Sequence, residues 1–261
     1  MRILFFGDVL GTEATQLLAH HMSKWRAETM ADAIVVNVEN ALVTQLDDPN
    51  VAYGLNQELA TTLLNVGVDV LTGGNHSWDA LSPQDVYGRD NVLRPHNMVK
   101  PSPGRGVYKL NVGGQPLVIV NLIGYTALYP PLEARKALDV FEELTFPKDA
   151  VVLVDFHAER VIEKRTFAHA IDGRAHLVVG THTHEPTLRL ERFPNGTFFC
   201  GDAGMCGPSL GVVGMGPEWY IRRMRGKKMP GFTLATGPIQ IGAVVLDSEA
   251  ETLERFLPNV E

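Results

Sequence analysis

Cysteine is scarce in this chain. Two occur in 261 residues, Cys200 and Cys206, which excludes a disulfide-stapled scaffold and fits a reducing compartment. Positive charge is short as well: 23 Lys and Arg against 30 Asp and Glu leave a net charge of −7. There is no global basic field to draw in long nucleic acid, so nucleic acid is not the expected partner, and a phosphate-bearing substrate must find its positive charge locally. Long apolar runs are missing too. No stretch approaches the roughly 18 residues of a membrane-spanning helix. The opening Met1-Arg-Ile-Leu-Phe-Phe-Gly-Asp8 has too short an apolar part for a signal peptide. A soluble, cytoplasmic protein without a membrane partner is expected. No repeat, low-complexity tract or linker divides the chain, so one domain over 1–261 is expected, and the sequence leaves self-association open.

What is present is a series of short apolar runs, each ending in polar residues. Arg2 to Phe6, Ala33 to Val38 and Val68 to Leu71 read as buried strands, with helices over Glu13 to Met30 and Gln57 to Val66 between them. A polar loop from Thr44 to Gly54 joins the second strand to the second helix. Strand, helix, strand, helix, strand is the order of a parallel α/β sheet. Further along, Gly113-Gly114 and Pro194-Asn-Gly196 mark two hairpins. Helices are expected over Leu132 to Leu144 and Glu159 to Ile171, and strands over Ala150 to Asp155 and His176 to Gly180. Gly201 to Gly216, with six glycines, reads as a long shaped loop. A short helix from Pro217 to Arg225 follows, then a last strand from Ile239 to Leu246 closed by a turn at Asp247 to Glu251.

The strand ends carry the chemistry. Asp8, Glu39-Asn40, Asn75-His76, His157 and the Gly180-Thr-His-Thr-His184 turn all lie just beyond apolar strands, where open α/β sheets collect their ligands. An extended turn would put His182 and His184 on one side of the backbone. Alone, such a pair is compatible with two solvated loop histidines. Beside four other strand ends it becomes part of a site assembled from distant segments. His20, His21, His96, His169 and His176 fall elsewhere and read as packing or surface histidines. Asp8, Glu39, Asn40, Asn75, His157, His182 and His184 are more ligands than one catalytic metal needs. They suffice for two ions about 3.5–4 Å apart, bridged by a carboxylate, with Glu39 better placed than Asp8 for that role. Mixed oxygen and nitrogen donors favour Mn, Fe or Zn over Mg or Ca.

The motifs Phe6-Gly-Asp8-Val, Val36-Asn-Val-Glu39-Asn40-Ala, Leu71-Thr-Gly-Gly-Asn75-His76-Ser-Trp-Asp79, Asp155-Phe-His157-Ala-Glu159, Val179-Gly-Thr-His182-Thr-His184 and Pro194-Asn-Gly-Thr together resemble the calcineurin-like metallophosphoesterases. Within these they resemble the YmdB-like branch, the bacterial 2′,3′-cyclic-nucleotide phosphodiesterases. Asp8-Val-Leu10, in place of the Asp-x-His of the wider superfamily, fits that branch. The resemblance implies a layered α/β/β/α sandwich with its metal site at the C-terminal strand ends. It implies that Asp8, Glu39, Asn40 and His184 hold one ion and that Glu39, Asn75, His157 and His182 hold the other, the metals being iron or manganese. His76 would be the general acid.

The expected substrate is a small phosphodiester such as a 2′,3′-cyclic nucleotide, attacked by a hydroxide lying between the two ions, with Asp79 orienting His76 or else capping a helix. A phosphoesterase of other specificity (a phosphomonoesterase or a nuclease) and a non-catalytic metal-binding regulator are the alternatives. The segments Gly11-Thr-Glu-Ala-Thr15 and Leu42 to Pro49 depart from the branch and would border the substrate. The basic run Arg222 to Lys228 reads as a solvated face or as a contact for substrate or RNA.

Overall fold

The computed structural model describes residues 1–43, 53–80, 83–99, 103–228, 231 and 233–259. Most of the polar loop after Val43, including Pro49, lies outside the described residues.

The chain begins as its apolar runs require: β1 (Arg2–Phe6), α1 (Thr12–Thr29), β2 (Ala33–Asn37), α2 (Gln57–Asn65), β3 (Val70–Thr72) and α3 (Pro83–Tyr87). A hairpin of β4 (Val107–Val112) and β5 (Gln115–Ile123) turns at Gly113-Gly114. Then come α4 (Ala137–Glu142), β6 (Val151–His157), α5 (Val161–Ala170) and β7 (Leu177–Thr181), and a second hairpin of β8 (Leu190–Arg192) and β9 (Phe198–Cys200). The chain closes with β10 (Gly207–Met215), α6 (Pro217–Met224), β11 (Leu234–Gln240), β12 (Ala243–Asp247) and β13 (Thr252–Arg255).

The strands form two large sheets. One runs β13-β12-β1-β2-β3 and the other β4-β5-β6-β7-β9-β8. Alternation within each strand explains the layering. Ile3, Phe5, Val35 and Val70 point inward and meet Leu117, Ile119, Leu153 and Val179 of the other sheet. Leu4, Phe6 and Val36 face the opposite way, onto Leu18, Met22 and Trp25 of α1 and Leu63 of α2. Val118, Val120, Val152 and Val154 face Phe141 of α4 and Phe167 of α5. Strands covered on both faces carry near-continuous apolar runs, as β1, β2, β6 and β7 do, with Arg2, Asn37, Asp155, His157 and Thr181 at or near their ends. The product is an α/β sandwich of helix, sheet, sheet and helix.

Three sequence expectations change. Gly207 to Met215 is a strand, paired with β11 as a two-stranded arm, in place of the expected loop. Its glycines serve close approach: the register shifts along the pair, and a Cβ on Gly211 would overlap Ala235 of the facing strand. The expected strand from Ile239 to Leu246 is two, broken at Ile241-Gly242, where the Gly242 carbonyl accepts the Gly7 amide at 2.9 Å. Beyond the Asp247–Glu251 turn the chain returns as β13. Finally, helix is confined to Ala137–Glu142 within the expected Leu132 to Leu144, because Ala134 is engaged in a bridge to Met98.

Candidate metal centre

Parallel β1, β2 and β3 in one sheet and β5, β6 and β7 in the other bring Asp8, Glu39, Asn40, Asn75, His76, His157, His182 and His184 to a common edge. All eight sequence-selected residues are found there. Asp8, Glu39, Asn40, Asn75, His157 and His184 are buried.

The side chains form two groups joined by Glu39. In the first, three acceptors converge on His157 Nε2: Asn75 Oδ1 at 2.9 Å, His182 Nδ1 at 3.0 Å and Glu39 Oε1 at 3.2 Å. The ligand atoms of Glu39, His157 and His182 all lie within 4.8 Å of one another. In the second, Asn40 Nδ2 lies 3.1 Å from Glu39 Oε1 and 3.3 Å from His184 Nε2, and Asp8 Oδ1 is 4.0 Å from that same nitrogen. Asp8 Oδ1 and Asn40 Oδ1 are buried without a hydrogen-bond partner among the described residues. Buried acceptors seldom go unpaired unless something else satisfies them. Turning the Asn40 amide over would exchange its oxygen and nitrogen and direct the oxygen into the group.

Each histidine has its outward nitrogen engaged, which fixes the nitrogen it turns inward. His184 Nδ1 donates to the Val213 carbonyl at 2.8 Å, leaving Nε2. His182 Nε2 lies 3.2 Å from Glu159 Oε2, leaving Nδ1. His157 Nδ1 donates to Thr181 Oγ1 at 2.9 Å. Asp155 anchors that last contact by accepting from Thr181 at 2.7 Å, Thr72 at 2.6 Å and Asn37 at 2.9 Å. His182 and His184 have φ of 94° and 64°. The extended turn expected from the sequence is therefore a left-handed one, and it faces the two imidazoles toward different groups. The turn is held from below by Asp202, which accepts from the Thr183 amide at 3.1 Å and its hydroxyl at 2.7 Å, and which pairs with the buried Lys164 ammonium at 2.7 Å.

Gly74 passes against the centre. A Cβ there would overlap Glu39 Oε2 and His157 Nε2, so only glycine lets the β3 segment come close enough to present Asn75.

Charge follows from packing. Burial raises the Asp8 carboxyl. Burial would do the same to Glu39, but the adjacent His157, with His76 and His182, outweighs it and holds that carboxyl below its usual range. Burial lowers His157, yet Glu39 and Asp8 hold it up to about 9. Burial, together with the His157 charge, pushes His182 down to about 2.

His76 stands at the rim. Its amide donates to Glu39 Oε2 at 3.1 Å, and its Nδ1 lies 2.6 Å from Asp79 Oδ2. That contact is the one an orienting Asp79 would make. Tyr53 stacks on the imidazole, with ring centroids 4.2 Å apart. The Tyr129 hydroxyl reaches Asp79 Oδ2 at 3.2 Å and His76 Nδ1 at 3.4 Å.

A family model described as YmdB-like protein matches residues 4–256. The chain belongs to the YmdB-like family. The 2′,3′-cyclic-nucleotide 2′-phosphodiesterase of Bacillus subtilis is 34% identical over 267 residues, covering 99% of this chain and 97% of that protein. A phosphatase from Mycoplasma pneumoniae matches with a TM-score of 0.85 at 27% identity, over 97% of this chain and 90% of that one. A hypothetical protein from Thermus thermophilus matches with a TM-score of 0.83 at 34% identity, over 99% of this chain and 98% of that one.

This YmdB-like centre also uses residues that sequence reasoning passes over: Tyr53, Tyr129, Glu159, Thr181, Lys164, Asp202 and the carbonyl of Val213. Glu159 and Thr181 lie inside motifs already singled out, and their spacing from His157 and His182 is the available signal. The remaining histidines pack as expected: His21 stacks on Trp25, His169 on Phe193, and His176 Nδ1 accepts from the Val152 amide.

Proposed function

We propose that this chain is a dimetal phosphodiesterase acting on 2′,3′-cyclic nucleotides. The observation that carries the reading is the position of Glu39 Oε1, 3.1 Å from Asn40 of one ligand group and 3.2 Å from His157 of the other, together with the Bacillus relative, named for that activity, along 99% of the chain. The donor set fits two transition-metal ions. It has two orphaned buried oxygens, three imidazoles with fixed inward nitrogens, and a carboxylate common to both groups. Asp8, Glu39, Asn40 and His184 would hold one ion, and Glu39, Asn75, His157 and His182 the other. Iron or manganese suits the oxygen-rich set best, and zinc is admissible. Once bound, such a pair supplies Lewis acidity and a water acidified toward neutrality.

The chain's own groups supply positioning and the proton. Hydroxide, formed when the water gives up one proton to solvent, adds its oxygen to phosphorus as the bond from phosphorus to the ribose 2′ oxygen breaks. His76 gives that oxygen a proton from Nε2, because Asp79 holds Nδ1–H. Tyr53 packs on the face of the imidazole, and Tyr129 shares the Asp79 carboxylate. Both keep the ring in the one orientation that can deliver its proton. The buried, unbridged Cys200 and Cys206 suit a reducing cytoplasm, and no helix among the described residues is long and apolar enough to cross a membrane.

The test is metal analysis of the purified protein combined with a panel of 2′,3′- and 3′,5′-cyclic nucleotides, nucleoside monophosphates and a chromogenic bis-aryl phosphate. The reading requires metal-dependent turnover of the 2′,3′-cyclic substrates ahead of the others. Preference for monophosphates would favour a phosphatase, as the Mycoplasma relative is named. No turnover by fully loaded protein would leave a binding protein.

A further inference from the structure

A cavity of about 490 Å³ opens beside the metal centre between the segment Tyr125 to Leu132 and the loop residues Glu159 and Arg160. Its size falls in the roughly 300–1,000 Å³ range of small-ligand sites. Two of its walls touch the centre directly. Glu159 Oε2 lies 3.2 Å from His182 Nε2, and the Tyr129 hydroxyl is 3.4 Å from His76 Nδ1. Anything that binds its phosphate at the metals and its leaving oxygen at His76 must send the rest of itself outward past these walls.

The cavity is aromatic on one side and carries a cation on the other. Tyr125 is 82% exposed, yet its backbone is fixed. Its amide donates to Glu163 Oε1 at 2.6 Å, and the next amide donates to Glu163 Oε2 at 3.0 Å. The Thr126 hydroxyl is also bonded to Glu163, and it accepts the Arg160 amide at 3.0 Å. The Tyr125 segment and the start of α5 are thus tied into one platform, with the tyrosine ring left in solvent. A large ring held on a rigid backbone can stack on a planar ligand at little cost in ordering. Arg160 adds hydrogen-bond donors for ring nitrogens or carbonyls.

We propose that this cavity is the nucleobase subsite, with Tyr125 as its stacking surface and Arg160 as its polar contact to the base edge. The inference rests on the phosphodiesterase reading above for the identity of the phosphate and adds the site for the base. It also assigns the cost of losing it: stacking affects how well a nucleotide is held, and the chemistry at phosphorus lies elsewhere.

The experiment compares wild type, Tyr125→Ala and Tyr125→Phe on adenosine 2′,3′-cyclic phosphate and on glycerol 1,2-cyclic phosphate, which has the same five-membered cyclic diester without a base. Tyr125→Ala should raise KM for the nucleotide about tenfold and lower the nucleotide-to-glycerol ratio of kcat/KM by the same factor, with Tyr125→Phe restoring both. A parallel measurement needs no turnover: equilibrium dialysis of adenosine 3′-monophosphate against metal-loaded protein, in which Tyr125→Ala should weaken Kd about tenfold. An unchanged ratio and Kd in Tyr125→Ala, or equal losses on both substrates, would overturn the subsite. If wild type turned over neither diester, the phosphodiesterase reading would fall and the dialysis would still decide the subsite.

Discussion

Thr181 donates its hydroxyl proton to Asp155 Oδ1 at 2.7 Å, so its oxygen is left to accept from His157 Nδ1 at 2.9 Å. The strand thereby fixes which nitrogen of His157 looks into the candidate metal centre. Thr181→Val keeps the shape and removes the relay. Metal affinity should fall ~10–100-fold, the usual cost of losing such a partner. Metal content after dialysis against graded chelator measures it.

His76 and Asp79 form a separate unit. His76→Ala should lower kcat by ~10²–10⁴-fold, the range for a general acid, while metal content stays at the wild-type level. Asp79→Asn should lower kcat less, since Tyr129 and Tyr53 still hold the ring. Steady-state kinetics alongside elemental analysis separates these two from Thr181→Val. Coincident loss of metal in His76→Ala would move His76 into the ligand set.

The pH response of the metal-free protein has a definite sign. His157 is held at about 9, above its ordinary 6.5, by Glu39 and Asp8, against the effect of burial. A raised folded value stabilises below the unfolded one and loses its effect as pH climbs. The chelated protein should therefore show a falling Tm between about pH 6.5 and 9. Because metal must displace a proton from His157 Nε2, metal affinity should rise across the same interval. Thermal scans with and without metal at a series of pH values test both.

Below the His182–His184 turn, Lys164 and Asp202 are a fully buried pair. Lys164→Met leaves the Asp202 carboxylate without its cation, and a loss of about 3–5 kcal/mol in urea denaturation is expected. A cost under about 1 kcal/mol would mean that the Thr183 and Gly204 donors satisfy Asp202 unaided.

Gly74→Ala should disrupt the centre without unfolding the sheets, because the added methyl meets Glu39 and His157 rather than the cores between the layers. Loss of bound metal with far-ultraviolet circular dichroism unchanged is the expected result.

The candidate ligands are legible because parallel strands deliver their C-terminal ends to one edge, so Asp8, Glu39, Asn75, His157 and His182 stand out by following apolar runs. Their supporting groups leave weaker traces. Lys164 sits among the polar residues of α5 and reads as surface until the fold closes over it. The Val213 carbonyl that orients His184 has no side-chain signature at all. Its strand, β10, reads as loop, since glycines needed for close pairing look the same in sequence as glycines needed for a turn. Tyr53 and Tyr129 are near His76 only through long-range packing, which periodicity does not encode.

The two sheets differ in how their strands are drawn from the chain. The six-stranded sheet comes from a contiguous stretch between Val107 and Cys200, whereas β1 lies between β2 and β12, with Arg2 opposite Asp247. On the ribosome the contiguous sheet can assemble while the five-stranded one waits for β12 and β13 to emerge. Of the described strands β1, which leads into Asp8, is synthesised first and is then among the last to be enclosed. Nascent chains halted before Ala243 should hold β1 with an open edge and fail to retain metal, whatever the completeness of the other sheet.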